Sequence, residues 1–336
     1  LDDVAEGELW FRGGRQELIY GSQRLVSSRP WRNTTVTFDG VKSFWKRTDA
    51  SCDLFWVRPI DIRQHLPRDS NFDHPDQSQQ LFGAFASWKP REKRTLDAYY
   101  LGQIESDPLV LGGRLVVGEF DTHTLGGRVH DEAGPFFYEI EGGYQFGSST
   151  GLEHSAGFVT AGAGKQITQG SLKASLWLYY DWASGDRDPM DSRHSTFLQQ
   201  FPRGHYYLGI ADIMGRQNIK DINLQLQLNH DDRLKLVLAL HVLTLSNRSD
   251  ALYNPSGIAI YHDPSGESGT DIGREVDAIL NWSITPRTHL GLGYSHVFAG
   301  SYFDSPVIQG GPAGRALNAA NGKDADFFYT QFTLRF

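Results

Sequence analysis

DFFYTQFTLRF, residues Asp326–Phe336, carries four phenylalanines in the last eleven positions of the chain. Taken with a period of two, Phe328, Thr330, Phe332, Leu334 and Phe336 fall on one side. Phe327, Tyr329, Gln331, Thr333 and Arg335 fall on the other. A strand that crosses the bacterial outer membrane needs about 9–11 residues, apolar toward lipid and more polar toward the lumen, with aromatic rings near both interfaces. This segment has that pattern. On its own it also fits a buried strand of an ordinary sheet, so the rest of the chain must separate the two.

Working back from this end, fourteen segments are predicted as strands: 8–20, 34–47, 50–61, 79–89, 94–104, 122–130, 135–147, 153–165, 170–183, 217–229, 233–246, 272–284, 287–298 and 326–336. Their connections alternate in length. The long ones are 21–33, 62–78, 105–121, 184–216, 247–271 and 299–325, and turns of a few residues lie between the others. Only Gly147–Leu152 is a short connection where a long one is due. Short turns at one end and long loops at the other are the habit of outer-membrane barrels. A soluble sandwich or propeller has no reason to sort its loops in this way.

Several strands alternate cleanly. Ile222, Leu224, Leu226 and Leu228 interleave with Asp221, Asn223, Gln225 and Gln227. Leu172, Leu176, Leu178 and Tyr180 interleave with Lys173, Trp177, Tyr179 and Asp181. Rows of Asn and Gln opposite an apolar row suit a wet lumen. Segment 8–20 slips in phase, since Leu9 and Phe11 share one face while Gln16, Leu18 and Tyr20 take the opposite one. A bulge at Gly13-Gly14 would reconcile them and turn Arg12 and Arg15 both inward.

The bulk properties agree with an all-β, antiparallel transmembrane β-barrel that uses all 336 residues, 1–336, as one domain. The 36 glycines and 12% aromatics suit short strands, tight turns and interfacial girdles. There is no run of about 18 apolar residues, hence no membrane-spanning helix. The lone Cys52 precludes an internal disulfide, and the net charge of −8 with no basic tract argues against nucleic acid as a partner. The sequence opens on Leu1 and not Met, as expected of a mature form or of a chain lacking its N-terminal portion.

Two stretches are distinctive. GRQELIYGSQRL, Gly14 to Leu25, is followed by TFDGVK at Thr37 to Lys42. YDWASGDRDPMDSRHSTFLQQFPRGHYYLGIADIMGRQNIKDI runs from Tyr180 to Ile222. Together these resemble the alginate-export family of outer-membrane β-barrels, and the likeness extends through the later strands to the terminal Phe. The resemblance implies a barrel of about eighteen strands when whole, and so an N-terminal truncation here. It also implies passive passage of an acidic polysaccharide, or a related anionic saccharide, through a lumen lined with bases. Outer-membrane lipid would surround it, and periplasmic export machinery could serve it.

A polyuronate carries one carboxylate per sugar, so Arg and Lys along a narrow lumen lower the barrier to entering it, provided the sites are many and weak. Arg12, Arg15, Arg58, Lys173, Arg233, Lys235 and Arg335 are the predicted inward bases. Arg15 and Arg24 are carried over directly from the family motif. Trp177 and Tyr179 face inward in the same register, as do Trp10 and Tyr99, either to stack on sugar rings or to pack on a loop folded into the barrel. Carboxylates at Asp97, Glu139, Glu141, Asp181, Asp221, Glu275 and Asp277 are predicted inward too, so the lumen reads as mixed in sign. A general porin or neutral-sugar channel is therefore the alternative, and a soluble carbohydrate-binding β-protein a more distant one.

Loop 184–216 is long and patterned enough to constrict the pore. Asp181, Asp186, Asp188 and Asp191 are spaced so that they could hold a structural Ca²⁺, although the pattern is not an EF-hand and a solvated acidic loop accounts for it as well. No other cofactor or metal is expected. Catalytic signatures are missing: His194, His205, His289 and His296 form no HExxH, and there is no GxSxG or phosphate-binding loop. Ser295 beside His296 is a weak hydrolase-like pair, because strand neighbours point to opposite faces. The chain reads as a channel and not an enzyme.

Overall fold

A computed structural model describes residues 5–29, 31, 35–60, 73–106, 109–111, 114–116, 119–169, 172–231, 233–263, 265–304, 309–310 and 324–336. Fourteen strands form one antiparallel sheet in chain order: β1 Glu8–Gln16, β2 Phe38–Lys46, β3 Ala50–Pro59, β4 Gln79–Arg91, β5 Arg94–Glu105, β6 Phe120–Ala133, β7 Phe136–Ser149, β8 Leu152–Gln169, β9 Leu172–Ala183, β10 Ile219–His230, β11 Leu234–Leu245, β12 Asp271–Thr285, β13 Thr288–Ala299 and β14 Ala325–Leu334. All fourteen predicted segments are present, with ends shifted by a few residues. A two-residue strand, Arg193–His194, pairs beside β8. Among the described residues the sheet runs from β1 to β14 with no pairing between those two.

The sheet curls on itself. Trp31, in the connection after β1, meets Tyr329 of β14 edge-on with ring centroids 4.3 Å apart. Alternation sets the two faces. Leu54, Leu125, Leu178, Leu224, Phe328 and Phe332 are all exposed on the outside, Leu224 at 43% and Phe332 at 64%, as required of a surface that lipid covers. Asp97, Thr124, Glu141, Asp181, Asn223 and Glu275 are buried on the inside. Two stacked soluble layers would have buried the first set.

The connections follow the predicted sorting. Turns 47–49, 92–93, 134–135, 170–171, 231–233 and 286–287 are short, while 17–37, 60–78, 106–119, 184–218, 246–270 and 300–324 are long. The exception, between β7 and β8, is a two-residue turn in which Thr150 and Gly151 both take positive φ, 53° and 85°. That is the hairpin geometry whose twist matches the strands it joins.

What fills the inside is the long connections. Segments 17–37 and 184–218 fold into the curl and join each other through backbone bonds: Ser27 N–H to the Phe201 carbonyl (2.8 Å), Phe201 N–H to the Leu25 carbonyl (2.9 Å) and Arg203 N–H to the Gln23 carbonyl (3.0 Å). Leu18, Leu25, Val26, Phe197, Phe201 and Met214 from these segments pack on Phe38, Val57, Leu81, Leu101 and Phe158 of the wall. This is a hydrophobic core held inside the sheet, away from the lipid face.

The same packing explains the phase slip in segment 8–20. The register of β1 on β2 runs unbroken from Glu8 to Gln16, with no bulge at Gly13-Gly14. Phe11 faces out, and Gln16 faces in at the end of the strand. Leu18 and Tyr20 then leave the wall for the internal core, Tyr20 stacking between Phe55 and Phe85. Arg12 and Arg15 consequently lie on opposite faces.

Candidate functional site

The inner surface divides into two zones. In the first, where the inserted segments meet β5 to β9, Arg24, Arg128 and Arg216 are each met by carboxylates. Arg24, buried at 1% exposure, reaches from segment 17–37 to Glu139 and Glu141 of β7. Its guanidinium also lies 4.2 Å over the Tyr207 ring. Ser22 donates to Glu141, and the Tyr207 hydroxyl donates to the Ser22 carbonyl. Arg128 of β6 donates to Asp97 (2.8 Å) and stands 3.5 Å from Glu139. Arg216, from the second inserted segment, is buried against Asp181 and Thr160. Carboxylates also hold inserted backbone: Glu275 accepts from Ala211 N–H (2.8 Å) and Asp277 from Ile210 N–H (3.2 Å). His241 links Asp221 (2.9 Å) to this group.

In the second zone, between the inserted segments and the short turns, lies a cavity of about 320 Å³. Its ceiling is Trp31, His205, Tyr206, Gly209 and Ile210 of the inserted segments. Its walls are Gln225 and Gln227 of β10, Lys235, Val237 and His241 of β11, Asp277 and Asn281 of β12, and Tyr329 and Gln331 of β14. Trp31 lies flat on His205, centroids 3.9 Å apart and planes 6° apart. Arg203 borders the cavity with its guanidinium 4.6 Å over Tyr206. Among the described residues, neither Lys235 nor Arg203 has a carboxylate at ion-pair distance.

The predicted residues are scattered over these zones. Lys235 lines the cavity. Arg24 is a locked pin between segment 17–37 and β7. Arg12 faces in, 5.6 Å over Phe44, beside Lys42. Arg15, expected inward, points outward and pairs with Asp39 at 3.0 Å, because no bulge resets the alternation. Arg58 was expected inward as well, yet it shares the outer face with Trp56 and lies 5.4 Å over that ring, since Phe55 and Val57 hold the inner phase of β3. Lys173 sits at the short-turn end of β9, on the Trp177 face. Arg233 and Arg335 lie just outside β11 and β14, exposed at the short-turn rim.

Trp177 and Tyr179 face in as expected, but their rings are spoken for. Trp177 stacks on Phe137 (5.0 Å) and Tyr179 (5.2 Å), and the two lie over Gly164 and Gly162 of β8. The four aspartates of the suggested Ca²⁺ loop do not converge. Asp181 turns to Arg216, whereas Asp188 and Asp191 accept from backbone N–H groups of their own turns. Among the described residues no three His, Cys, Asp or Glu side chains gather as metal ligands. Ser295 points inward to Glu275 and His296 outward to Asp326, so they form no dyad.

Missed by the sequence were Arg128, Arg203, Arg216 and the rings Trp31 and His205. Arg128 could have been found by continuing the β6 alternation from Thr122 and Thr124. The others sit on inserted segments, where no period applies.

Solved structures share this architecture. Pseudomonas aeruginosa OccK8 (OprE) is 11% identical and superposes with a TM-score of 0.52 over 97% of this chain and 78% of its own. P. aeruginosa OccD3 (OpdP) is 10% identical, with a TM-score of 0.55 over 97% and 74%. The P. aeruginosa outer membrane protein OprD is 9% identical, with a TM-score of 0.53 over 97% and 76%. At such identities the likeness is one of fold, that of an outer-membrane porin barrel. No curated protein matches the chain in sequence. A family model described as alginate export matches residues 1–310, and with it the chain belongs to the alginate export family, whose fold is that of channels and not of enzymes.

Proposed function

We propose that the protein is a passive outer-membrane channel for an acidic saccharide, alginate-like or a related anionic sugar, with no chemical step and no redox cofactor. The observation that carries the reading is the contrast in charge pairing. The buried guanidiniums are internally neutralised, whereas Lys235 and Arg203 border open space with no carboxylate at ion-pair distance among the described residues, and two cations stand there against the single carboxylate Asp277. Cations left unpaired along a low-dielectric passage lower the barrier for an anion and leave it weakly enough held to move on. Family membership supports the solute class. Periplasmic export machinery, if the channel uses any, would meet the short-turn end, which outer-membrane barrels keep on the periplasmic side.

A general porin or neutral-sugar channel is the second reading, favoured by the mixed sign of the inner face. Planar-bilayer conductance with and without a uronate oligomer separates the two. Anion preference and concentration-dependent block by the oligomer are expected. Cation preference together with no block would leave the general porin.

A further inference from the structure

The cavity below the inserted segments has two unlike walls, and that asymmetry matches one chemical class. On one side stand Trp31, His205 and Tyr329, locked by mutual contact: Trp31 flat on His205, Tyr329 edge-on to Trp31. Tyr329 is fixed from behind as well, because its ring lies over Gly293 of β13, where any side chain would collide with it. Other lining residues are amides: Gln331, two residues on from Tyr329 along the same face of β14, with Asn281 of β12 and Gln227 of β10. Gln227, Asn281 and Gln331 line it without a side-chain hydrogen bond to any described residue.

A pyranose ring has the same asymmetry. Its axial C–H groups form an apolar face that lies well on an aromatic ring, and its equatorial hydroxyls form a polar edge that suits amides, which both donate and accept. A small inorganic anion would use the N–H groups of the amides and leave the rings and the amide carbonyls without a partner. A lipid chain would leave three amides without partners, at a cost that selects against it.

From this we infer that the cavity is a sugar-ring subsite: Trp31, His205 and Tyr329 stack on one pyranose, Gln227, Asn281 and Gln331 bind its hydroxyls, and Lys235 takes the carboxylate if the ring is a uronate. The inference rests on the saccharide reading above and refines it, assigning ring recognition and charge recognition to different residues. The aromatic wall hangs from the inserted segments and from β14, so a sugar entering from the short-turn side is held beneath those segments.

The test uses the full chain in planar bilayers, with block of the ion current by a uronate hexamer and by a neutral glucose hexamer, each added at the short-turn side. Both hexamers should block the unmodified channel. Trp31→Ala and Tyr329→Ala should each weaken block by both hexamers roughly tenfold, the scale of one lost aromatic contact. Trp31→Phe and Tyr329→Phe, which keep a ring, should restore most of the block. Gln227→Leu, on a wall with no part in the internal core, should weaken both blocks. Lys235→Gln should weaken only that of the uronate.

If the uronate hexamer blocks the Trp31→Ala and Tyr329→Ala channels as well as the unmodified one, the subsite is overturned and the acidic-saccharide reading stands. If only the neutral hexamer blocks, the acidic reading falls and the subsite remains. Block by neither overturns both.

Discussion

The locked and open zones of the lumen are built from the same residue types and do different work. In the first, Arg24, Arg128 and Arg216 are buried among Asp97, Glu139, Glu141 and Asp181; Arg24 and Arg216 tie the inserted segments to β7 and β9, and Arg128 joins β6 to β5 and β7. In the second, Lys235 and Arg203 keep their charge open to the cavity. The comparison teaches that an inward Arg is not in itself a solute site. A buried cation with two carboxylates offers a passing anion nothing, and its work is to hold the inserted segments where they narrow the passage. A buried ion pair need not be a net gain over an apolar contact, but removing one partner strands the other at high cost.

That asymmetry makes the largest prediction. Arg24→Ala strips Glu141 of its buried cation and leaves neighbouring Glu139 with Arg128 alone, which should destabilise the fold by about 3 kcal/mol. Because the loss falls on segment 17–37, the open-channel conductance should rise as that segment loosens. Urea unfolding in detergent and single-channel recording check the two parts. An Arg24→Ala protein with unchanged stability and unchanged conductance would break the division into locked and open zones.

A smaller effect is expected at Glu275. Its side chain accepts from Ala211 N–H and from the Ser295 hydroxyl (3.0 Å), so Glu275→Ala removes the acceptor of an inserted backbone N–H. About 1–3 kcal/mol should go, the cost of leaving a buried donor without a partner. Amide exchange should localise the loss to 208–214. A loss spread evenly over the strands would instead make Glu275 a wall residue with no part in holding the insert.

How much of this could be read in the sequence follows from where a period-two rule holds. Along β9, β10, β11 and β14, lipid on one side and lumen on the other force strict alternation, so the inward direction of Lys235, Gln227, Trp177 and Tyr329 is legible in the sequence. The rule failed where the chain leaves the wall. Leu18 and Tyr20 looked like a register slip because a strand was assumed to continue; they are apolar because they enter an internal core. Arg15 and Arg58 were misplaced for related reasons, the one by an imagined bulge and the other in a strand whose faces both carry aromatics. The pairing of Arg24 with Glu139 spans 115 residues of chain and has no local signal. Trp31 had none either, since a ring on an inserted segment is positioned by what it packs on.

The smallest effect concerns the long-loop rim, where segment 184–218 carries two groups of opposite temper. Asp186, buried and beside Asp250, has its carboxyl pushed from 3.8 up to about 6 by burial and then by that neighbour. The native state holds this proton more tightly than the unfolded chain does. Its contribution is therefore present below about pH 4 and lost as pH rises through about 6. His194, buried 3.0 Å from His154, is pushed down from 6.5 to about 4 by burial. It stays neutral when folded, so its contribution is present above 6.5 and lost as pH falls through about 4. The two slopes oppose each other over one window, and the unmodified segment should show little net change across it. Each substitution uncovers the other group. With Asp186→Asn, exchange in 184–218, corrected for its intrinsic pH dependence, should quicken toward acid; with His194→Gln it should quicken toward neutrality. Parallel profiles in both variants and in the unmodified chain would mean that this rim is held by something other than these two side chains.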